Sequence, residues 1–214
     1  MNSYCLISRW FPPEHKGGIA RSNLDMVKKL REFNWNTFYI TSTKSKSDLD
    51  NNDECYWEIP QQNFNIYKLR NTFINGFIRW YGDRLYSKLV ARKIEELDKT
   101  NNSFDIIEFT DIHAEGYHFL KKHKKSNCKV VIRAFNPSEI IRLSLENPKH
   151  AYCKNHFNDE KYVFKNADII TTPSMWTKDF LAKTYGIKSS KIKVIPHPID
   201  TDNFVPGKKK LSIR

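Results

Sequence analysis

The sequence predicts a doubly wound α/β fold, built on a parallel sheet of about seven strands with helices on both faces. Short apolar runs rich in β-branched and aromatic residues alternate along the chain with longer segments of helical period. The 214 residues are 39% hydrophobic and 28% charged, which is the balance of a folded protein. Because crossover connections are right-handed, the loops after the strands are expected to line a crevice at one edge of the sheet.

Seven apolar runs are interpreted as strands. They occupy residues 4–8, 37–41, 66–69, 105–109, 129–134, 169–172 and 193–195. The segment between the first two runs carries apolar residues at helical spacing, opens after Gly17-Gly18 and closes near Asn34, which completes a β-α-β unit.

Four further segments are predicted to be helices. They are residues 75–97, 114–122, 152–165 and 174–185. The last of these helices has clear start and stop signals, with Ser174 as the expected N-cap and Gly186 immediately after its end. Residues 43–62 are rich in Ser, Asp and Asn, and they are predicted to form a surface loop.

The chain is strongly basic, with 36 Lys and Arg against 24 Asp and Glu and a net charge of +12. Such a charge attracts phosphorylated molecules, anionic bilayers or nucleic acid, although a well-solvated basic surface explains it equally. No nucleic-acid motif accompanies the charge, so nucleic-acid binding ranks last among these possibilities and no nucleic-acid partner is expected. The four cysteines stand far apart and are expected to be reduced, and no apolar stretch reaches the ~18 residues of a membrane span, so the cytoplasm is the expected compartment.

The loop after the first strand contains Lys16, Gly17 and Gly18 at the start of the first helix. Two glycines allow a ligand to approach the backbone closely, and a helix N-terminus favours an anion, so this loop predicts a phosphate-bearing ligand. The alternative is that the glycines only make a tight strand-to-helix turn. Neither the dinucleotide fingerprint nor the P-loop pattern is present.

Titratable residues follow the fourth strand at Asp111, His113 and Glu115, where a doubly wound sheet holds its ligands. The alternatives are that Asp111 caps the next helix and that His113 is a solvated surface residue. After the fifth strand, Arg133 could hold a phosphate or carboxylate, or pair with an acidic neighbour. Asp200 and Asp202 lack further ligands nearby, so no metal site is expected.

Three segments in tandem resemble glycosyltransferase family 4, a retaining family with the GT-B fold. These are Phe11-Pro12-Pro13 with Gly17-Gly18, the stretch at residues 167–178 that begins Ala-Asp and contains Ser174, and the stretch at residues 193–200. The resemblance implies a Rossmann-like, acceptor-side domain over residues 1–197. Residues 198–214 would be a hinge and the start of a donor-binding domain that this chain lacks.

The resemblance also implies the activity. A hexosyltransferase-like enzyme would move a sugar from a nucleotide-sugar donor to a glycan or lipid-linked acceptor, without metal or cofactor, and this domain alone would be inactive. The positions that match the family's histidines hold Glu108, Thr110 and Phe135 instead. The candidate catalytic residues are therefore His113 and Asp111, and the candidate substrate-binding residues are Lys16, Gly17, Gly18, Glu115, Arg133, Asn136 and His197.

Two alternatives stay open. The chain could be a non-catalytic binding module for an anionic glycan or nucleotide, which uses the same crevice. The aromatic and Arg-rich residues 73–86 could be core, or they could rest on an anionic membrane that presents a lipid-linked acceptor.

Overall fold

The structure is a computed structural model of the 214-residue chain. It describes residues 2–12, 17–43, 56–60, 75–99, 103–122, 128–144 and 154–197. The expected strand at residues 66–69, Lys16, Asp200, Asp202, Cys55 and Cys153 lie outside these residues, while Cys5 and Cys128 carry free thiols.

Seven parallel strands form a single sheet in the described part of the chain, which confirms the predicted fold class. The strands are β1 (Ser3–Ile7), β2 (Asn36–Thr43), β3 (Tyr56–Pro60), β4 (Ile106–Thr110), β5 (Lys129–Arg133), β6 (Ile169–Thr172) and β7 (Ile192–Val194). Their order is β3-β2-β1-β4-β5-β6-β7. Strands β1 to β3 are added towards one edge of the sheet and β4 to β7 towards the other, so the strand order reverses between β1 and β4. Doubly wound sheets open a crevice at their carboxyl edge at this point.

The third strand corrects the prediction of a loop over residues 43–62. β3 (Tyr56–Pro60) lies inside that region and pairs with β2 in parallel, with Thr41 opposite Glu58. Tyr56 and Trp57 are aromatic residues that favour strands. The strand has only five residues and follows a polar segment, so the sequence pattern did not reveal it.

Six helices connect the strands in the described residues. They are α1 (Gly18–Glu32), α2 (Asn75–Lys99), α3 (Tyr117–Lys122), α4 (Ser138–Ser144), α5 (Lys154–Asn166) and α6 (Met175–Tyr185). The helix predicted at residues 114–122 is instead a 3-10 turn, Ile112–Ala114, followed by the shorter α3. The sequence did not predict α4.

The sheet buries both faces in two separate apolar clusters. On one face α2, α3, α5 and α6 cover β1, β4, β5 and β6, with Tyr86, Phe109 and Phe164 fully buried. On the other face α1 packs Val27 against Leu6 of β1. In the described residues, no helix is long and apolar enough to cross a membrane.

Both predicted ends of α6 are confirmed. The Ser174 hydroxyl accepts a hydrogen bond from the Thr177 backbone N–H at 3.1 Å, which caps the helix. Gly186 adopts the left-handed conformation at φ +67°, where a residue without a Cβ is favoured.

Candidate functional site

A buried arginine joins the loops after β1 and β4. Arg9 lies two residues after the end of β1, and its Nη1 donates to Asp83 Oδ1 of α2 at 2.7 Å. Its Nε and its backbone N–H both donate to Glu115 Oε1, at 3.0 and 3.1 Å. Burial acts to lower the pKa of Arg9, but Asp83 and Glu115 raise it above its ordinary value, so the guanidinium stays charged.

Asp83 is the centre of this buried network. Its Oδ2 lies 3.0 Å from His113 Nδ1 and 3.1 Å from His156 Nε2. Burial acts to raise the pKa of Asp83, but His113 and Arg9 together hold it well below its ordinary value. Asp83 is therefore an ionised acceptor that binds three side chains from three different parts of the chain.

His113 is a buried residue, which corrects the alternative that placed it on the solvated surface. Burial lowers the pKa of His113 to about 4, so the ring is neutral at neutral pH. Its backbone is left-handed at φ +61°, and Ala114 follows at φ +52°. Side chains disfavour this region by roughly 1–2 kcal/mol, and such strain persists where the surrounding contacts hold it in place.

Asp111 ties the loops after β4 and β5 together. Its carboxylate accepts hydrogen bonds from the backbone N–H groups of Phe135 and Asn136 at 3.1 and 3.0 Å. Burial raises the pKa of Asp111 to about 7 although both hydrogen bonds act to lower it. The alternative that Asp111 caps the next helix is wrong, because its side chain makes no capping hydrogen bond to the 3-10 turn.

A shallow cleft opens on the α1 side of the sheet, at the ends of β4 to β7. It is lined by Ser22, Met26, Glu108, Arg133, Thr171, Thr172, Pro173, Ile195, Pro196 and His197. Arg133 forms an ion pair with Glu108, and its Nη2 also lies 3.4 Å from the Tyr4 hydroxyl. The interpretation of Arg133 as paired with an acidic neighbour is confirmed.

Phe135 and His197 stack beside this cleft, with ring centroids 5.1 Å apart and planes 13° from parallel. His197 is exposed as a residue, but the partial burial of its ring, together with the charge of Arg133, lowers its pKa. The Asn136 side chain is also exposed at the same edge of the sheet. Residues from the ends of β5 and β7 thus form a continuous rim.

Gly17 and Gly18 are exposed at the start of α1. Neither has a positive φ, and a Cβ placed on either would meet no atom within 4 Å. Gly17 is the N-cap without a side-chain hydrogen bond, and the first turn contains no acidic residue. Local conformation and packing therefore do not require glycine here, and the helix N-terminus is open to a ligand.

The glycine turn, the rim and the cleft occupy the part of the chain that a sequence profile of Glycosyltransferase Family 4 covers, which matches residues 16–203. The chain belongs to glycosyltransferase family 4. Comparison with curated protein sequences finds no match.

Solved structures share the fold of this family 4 domain at low sequence identity. The catalytic domain of starch synthase IV from Arabidopsis thaliana, bound to ADP and acarbose, is 13% identical with a TM-score of 0.57. A UDP-glucose:anthocyanidin 3-O-glucosyltransferase in complex with UDP is 10% identical with a TM-score of 0.56. UGT2 of Phytolacca americana, complexed with UDP-2-fluoro-glucose and pterostilbene, is 6% identical with a TM-score of 0.52.

The family 4 domain spans about half of each of these proteins. The alignments cover 98%, 97% and 92% of this chain, but 54%, 55% and 52% of the other chains. The likeness shows the Rossmann-like architecture of the GT-B glycosyltransferases.

Four of the predicted site residues of the family 4 domain fall into two groups on opposite faces of the sheet. His113 and Glu115 belong to the buried network under α2 and α5, and Arg133 and His197 line the cleft beside α1. Asp111 and Asn136 meet through a hydrogen bond between the loops that follow β4 and β5.

Sequence reasoning missed the other members of both groups. They are Arg9, Asp83 and His156 in the network, and Ser22 and Thr172 in the cleft. Only Arg9 carried a signal in the sequence, because a charged residue directly follows the first apolar strand.

Proposed function

We propose that this chain is the acceptor-side domain of a glycosyltransferase that moves a sugar from a nucleotide-sugar donor to a glycan or lipid-linked acceptor. The observation that carries the proposal is the open glycine turn at the start of α1, at the same edge of the sheet as the rim and the cleft. Family membership supports the reaction type, and the ligands named for the related structures support the substrate classes.

The N-terminus of α1 is suited to the diphosphate of a donor. Its first N–H groups have no capping side chain, and the helix dipole is positive at this end. Without a Cβ at Gly17 and Gly18, a phosphate oxygen can reach the backbone directly. Helix dipoles and basic side chains would stabilise the leaving diphosphate, so the proposal needs no metal or cofactor.

The division of labour within the protein follows from this arrangement. Residues 1–197 would hold the acceptor, and residues 198–214 would lead to a donor-binding domain across the cleft. The chain spans about half the length of the related structures, which supports a transferase that needs both halves for turnover.

Within the acceptor side, the proposal assigns two kinds of role. Asp111 and His113 would set the shape of the rim, because Asp111 holds the β5 loop and His113 holds the turn after β4 against α2. Arg133, Asn136 and His197 would contact the acceptor, a role that their position at the cleft and its rim supports.

The test is donor turnover by the full-length gene product, measured as nucleotide release from a panel of UDP-, GDP- and ADP-sugars with and without glycan acceptors. Gly18→Val should lower turnover by at least about a hundredfold, because its side chain would occupy the space of the diphosphate and remove ~3 kcal/mol of stabilisation. Gly186→Asn is the matched control, since Asn tolerates the left-handed conformation and Gly186 lies at the far end of α6.

Three results would contradict the proposal. A full-length protein that neither binds nor turns over any donor is not a transferase. Turnover by Gly18→Val equal to that of the wild type would show that the glycine turn is not part of the donor site. Binding of a glycan or nucleotide without turnover would favour the non-catalytic binding module instead.

A further inference from the structure

Three buried side chains converge between α2, the 3-10 turn after β4 and α5. They are Asp83, His113 and His156, which are 2%, 6% and 2% exposed. Each offers one carboxylate oxygen or ring nitrogen, and these three atoms all lie within 4.8 Å of one another. In the described part of the chain, no other group of three histidine, cysteine or acidic side chains comes together in this way. Imidazole nitrogens with a carboxylate oxygen are a ligand set that zinc binds.

The separations of these atoms are close to those around a zinc ion. Asp83 Oδ2 lies 3.0 Å from His113 Nδ1 and 3.1 Å from His156 Nε2. Zinc bonds of about 2.0 Å in a tetrahedron place neighbouring ligand atoms about 3.3 Å apart. Small side-chain shifts therefore suffice to seat an ion among the three, with a water as its fourth ligand. Mg²⁺ and Ca²⁺ prefer a shell of oxygen atoms, which two ring nitrogens do not provide.

The surrounding contacts orient these ligands. Arg9 donates to the other oxygen of Asp83, Oδ1, at 2.7 Å, so Oδ2 is the oxygen that faces the two rings. Because Glu115 also accepts from Arg9, Asp83 is not the sole counter-charge of the guanidinium. Carboxylates that bind a metal are commonly held by such a hydrogen bond from outside the coordination shell. The left-handed backbone of His113, at φ +61°, is a strained conformation of the kind found where function fixes a side chain in one place.

We infer that Asp83, His113 and His156 form a zinc site. The ion cross-links α2 to the turn after β4 and to α5, three segments that are far apart in the sequence. The site lies on the face of the sheet opposite the α1-side cleft, so its role is structural. The inference is independent of the proposed function, whose transfer reaction does not pass through this ion.

The experiment measures zinc binding to the purified chain after treatment with a chelator. Isothermal titration should show one zinc ion per chain, and neither Mg²⁺ nor Ca²⁺ should bind at the same concentration. At a zinc concentration about a hundred times the dissociation constant, the melting temperature should rise by about 5–10 °C, because the ion binds the folded chain. Co²⁺ in place of zinc should give the visible absorption of a tetrahedral ion with nitrogen and oxygen ligands, without the near-ultraviolet band of a thiolate ligand.

Two variants remove a ligand and keep a hydrogen-bond donor for Asp83. His156→Gln places an amide N–H near the position of Nε2, and His113→Asn places one near Nδ1 in a residue that tolerates the left-handed conformation. Each should weaken zinc binding at least about a hundredfold, because even the loss of a partner outside the coordination shell typically costs about 10–100-fold. His118→Gln is the matched control, since His118 is a half-buried histidine of the neighbouring α3 outside the cluster, and this variant should bind zinc like the wild type.

The inference is overturned if the wild-type chain binds no zinc, if zinc leaves its melting temperature unchanged, or if both ligand variants bind zinc as tightly as the wild type. A thiolate band in the Co²⁺ spectrum would assign the ion to cysteine instead. The first two results concern the wild type alone, so they decide the matter even if a variant fails to fold. Donor turnover by the full-length protein tests the proposed function separately. Zinc binding without turnover would uphold the site and refute the transferase, and turnover without zinc binding would do the reverse.

Discussion

Glu160 of α5 is a buried carboxyl group outside both groups of site residues. Its oxygens accept hydrogen bonds from the Ser138 hydroxyl and the Tyr185 hydroxyl, both at 2.7 Å, and from the Ser138 backbone N–H at 3.1 Å. Burial nevertheless raises its pKa to about 8. Near neutral pH, Glu160 is therefore protonated in the folded chain and ionised in the unfolded chain.

This difference predicts how stability depends on pH. The folded pKa lies above the ordinary value of 4.5, so the contribution of Glu160 is fully present below about pH 4.5 and is lost as the pH rises to about 8. Glu160→Gln cannot ionise, so its free energy of unfolding should decline less between pH 5 and pH 8. Urea unfolding at both pH values measures the slope, with the exposed Glu96→Gln as control. Equal slopes in Glu160→Gln and wild type would contradict this account.

The ends of the predicted strands indicated where the candidate site residues would lie, but not which residues they would contact. Asp111, His113 and Arg133 all lie at the carboxyl edge of the sheet, as the alternation of strands and helices predicted. Their partners come from other elements: His113 contacts Asp83 of α2, and Arg133 contacts Glu108 of the neighbouring strand. Spacing along one sequence does not specify such contacts, so the alternatives for each residue needed the structure.

Whether an element could be predicted depended on its length and on the residues at its ends. The sequence predicted α6 because Ser174 and Gly186 mark its two ends, and both caps are confirmed. The sequence did not reveal α4 or the 3-10 turn at Ile112–Ala114, because seven or three residues are too few to show a helical period. The same shortness hid β3.

The N-cap of α6 can be tested on its own. Ser174→Ala removes the acceptor for the Thr177 backbone N–H and should lower the free energy of unfolding by about 1 kcal/mol. Ser189→Ala is the control, because Ser189 is exposed and begins a 3-10 turn in which no capping side chain takes part. Guanidinium unfolding curves measure both. Equal stability of Ser174→Ala and wild type would mean that the cap contributes nothing.

For the molecule as a whole, the sequence predicted the layers but not the order of the strands. Repeated alternation of apolar strands and amphipathic helices is enough to predict a parallel sheet with helices on both faces. The order that places β1 beside β4 brings Arg9, Asp83, Glu115 and His156 into one buried network. Four separate parts of the chain meet there, so the network is expected to stabilise the fold of the entire domain.

Removing the central carboxylate tests that conclusion. Asp83→Ala removes one of the two acidic partners that the buried Arg9 has among the described residues, and it should destabilise the domain by about 3–5 kcal/mol. Asp25→Ala breaks the pair that Asp25 makes with the exposed Arg21 on α1, and should cost at most about 1 kcal/mol. The midpoints of urea unfolding compare the two. Similar losses in both variants would show that the buried network is no stronger than a surface pair.

The outermost strand has a consequence for behaviour at high concentration. β7 is only three residues long, and its central residue, Lys193, is exposed. A short border strand that carries a lysine gives a second molecule few free backbone groups to pair with, and places a charge that would repel an identical copy. Intermolecular sheet extension, a common first step in aggregation, is therefore disfavoured on this side of the domain.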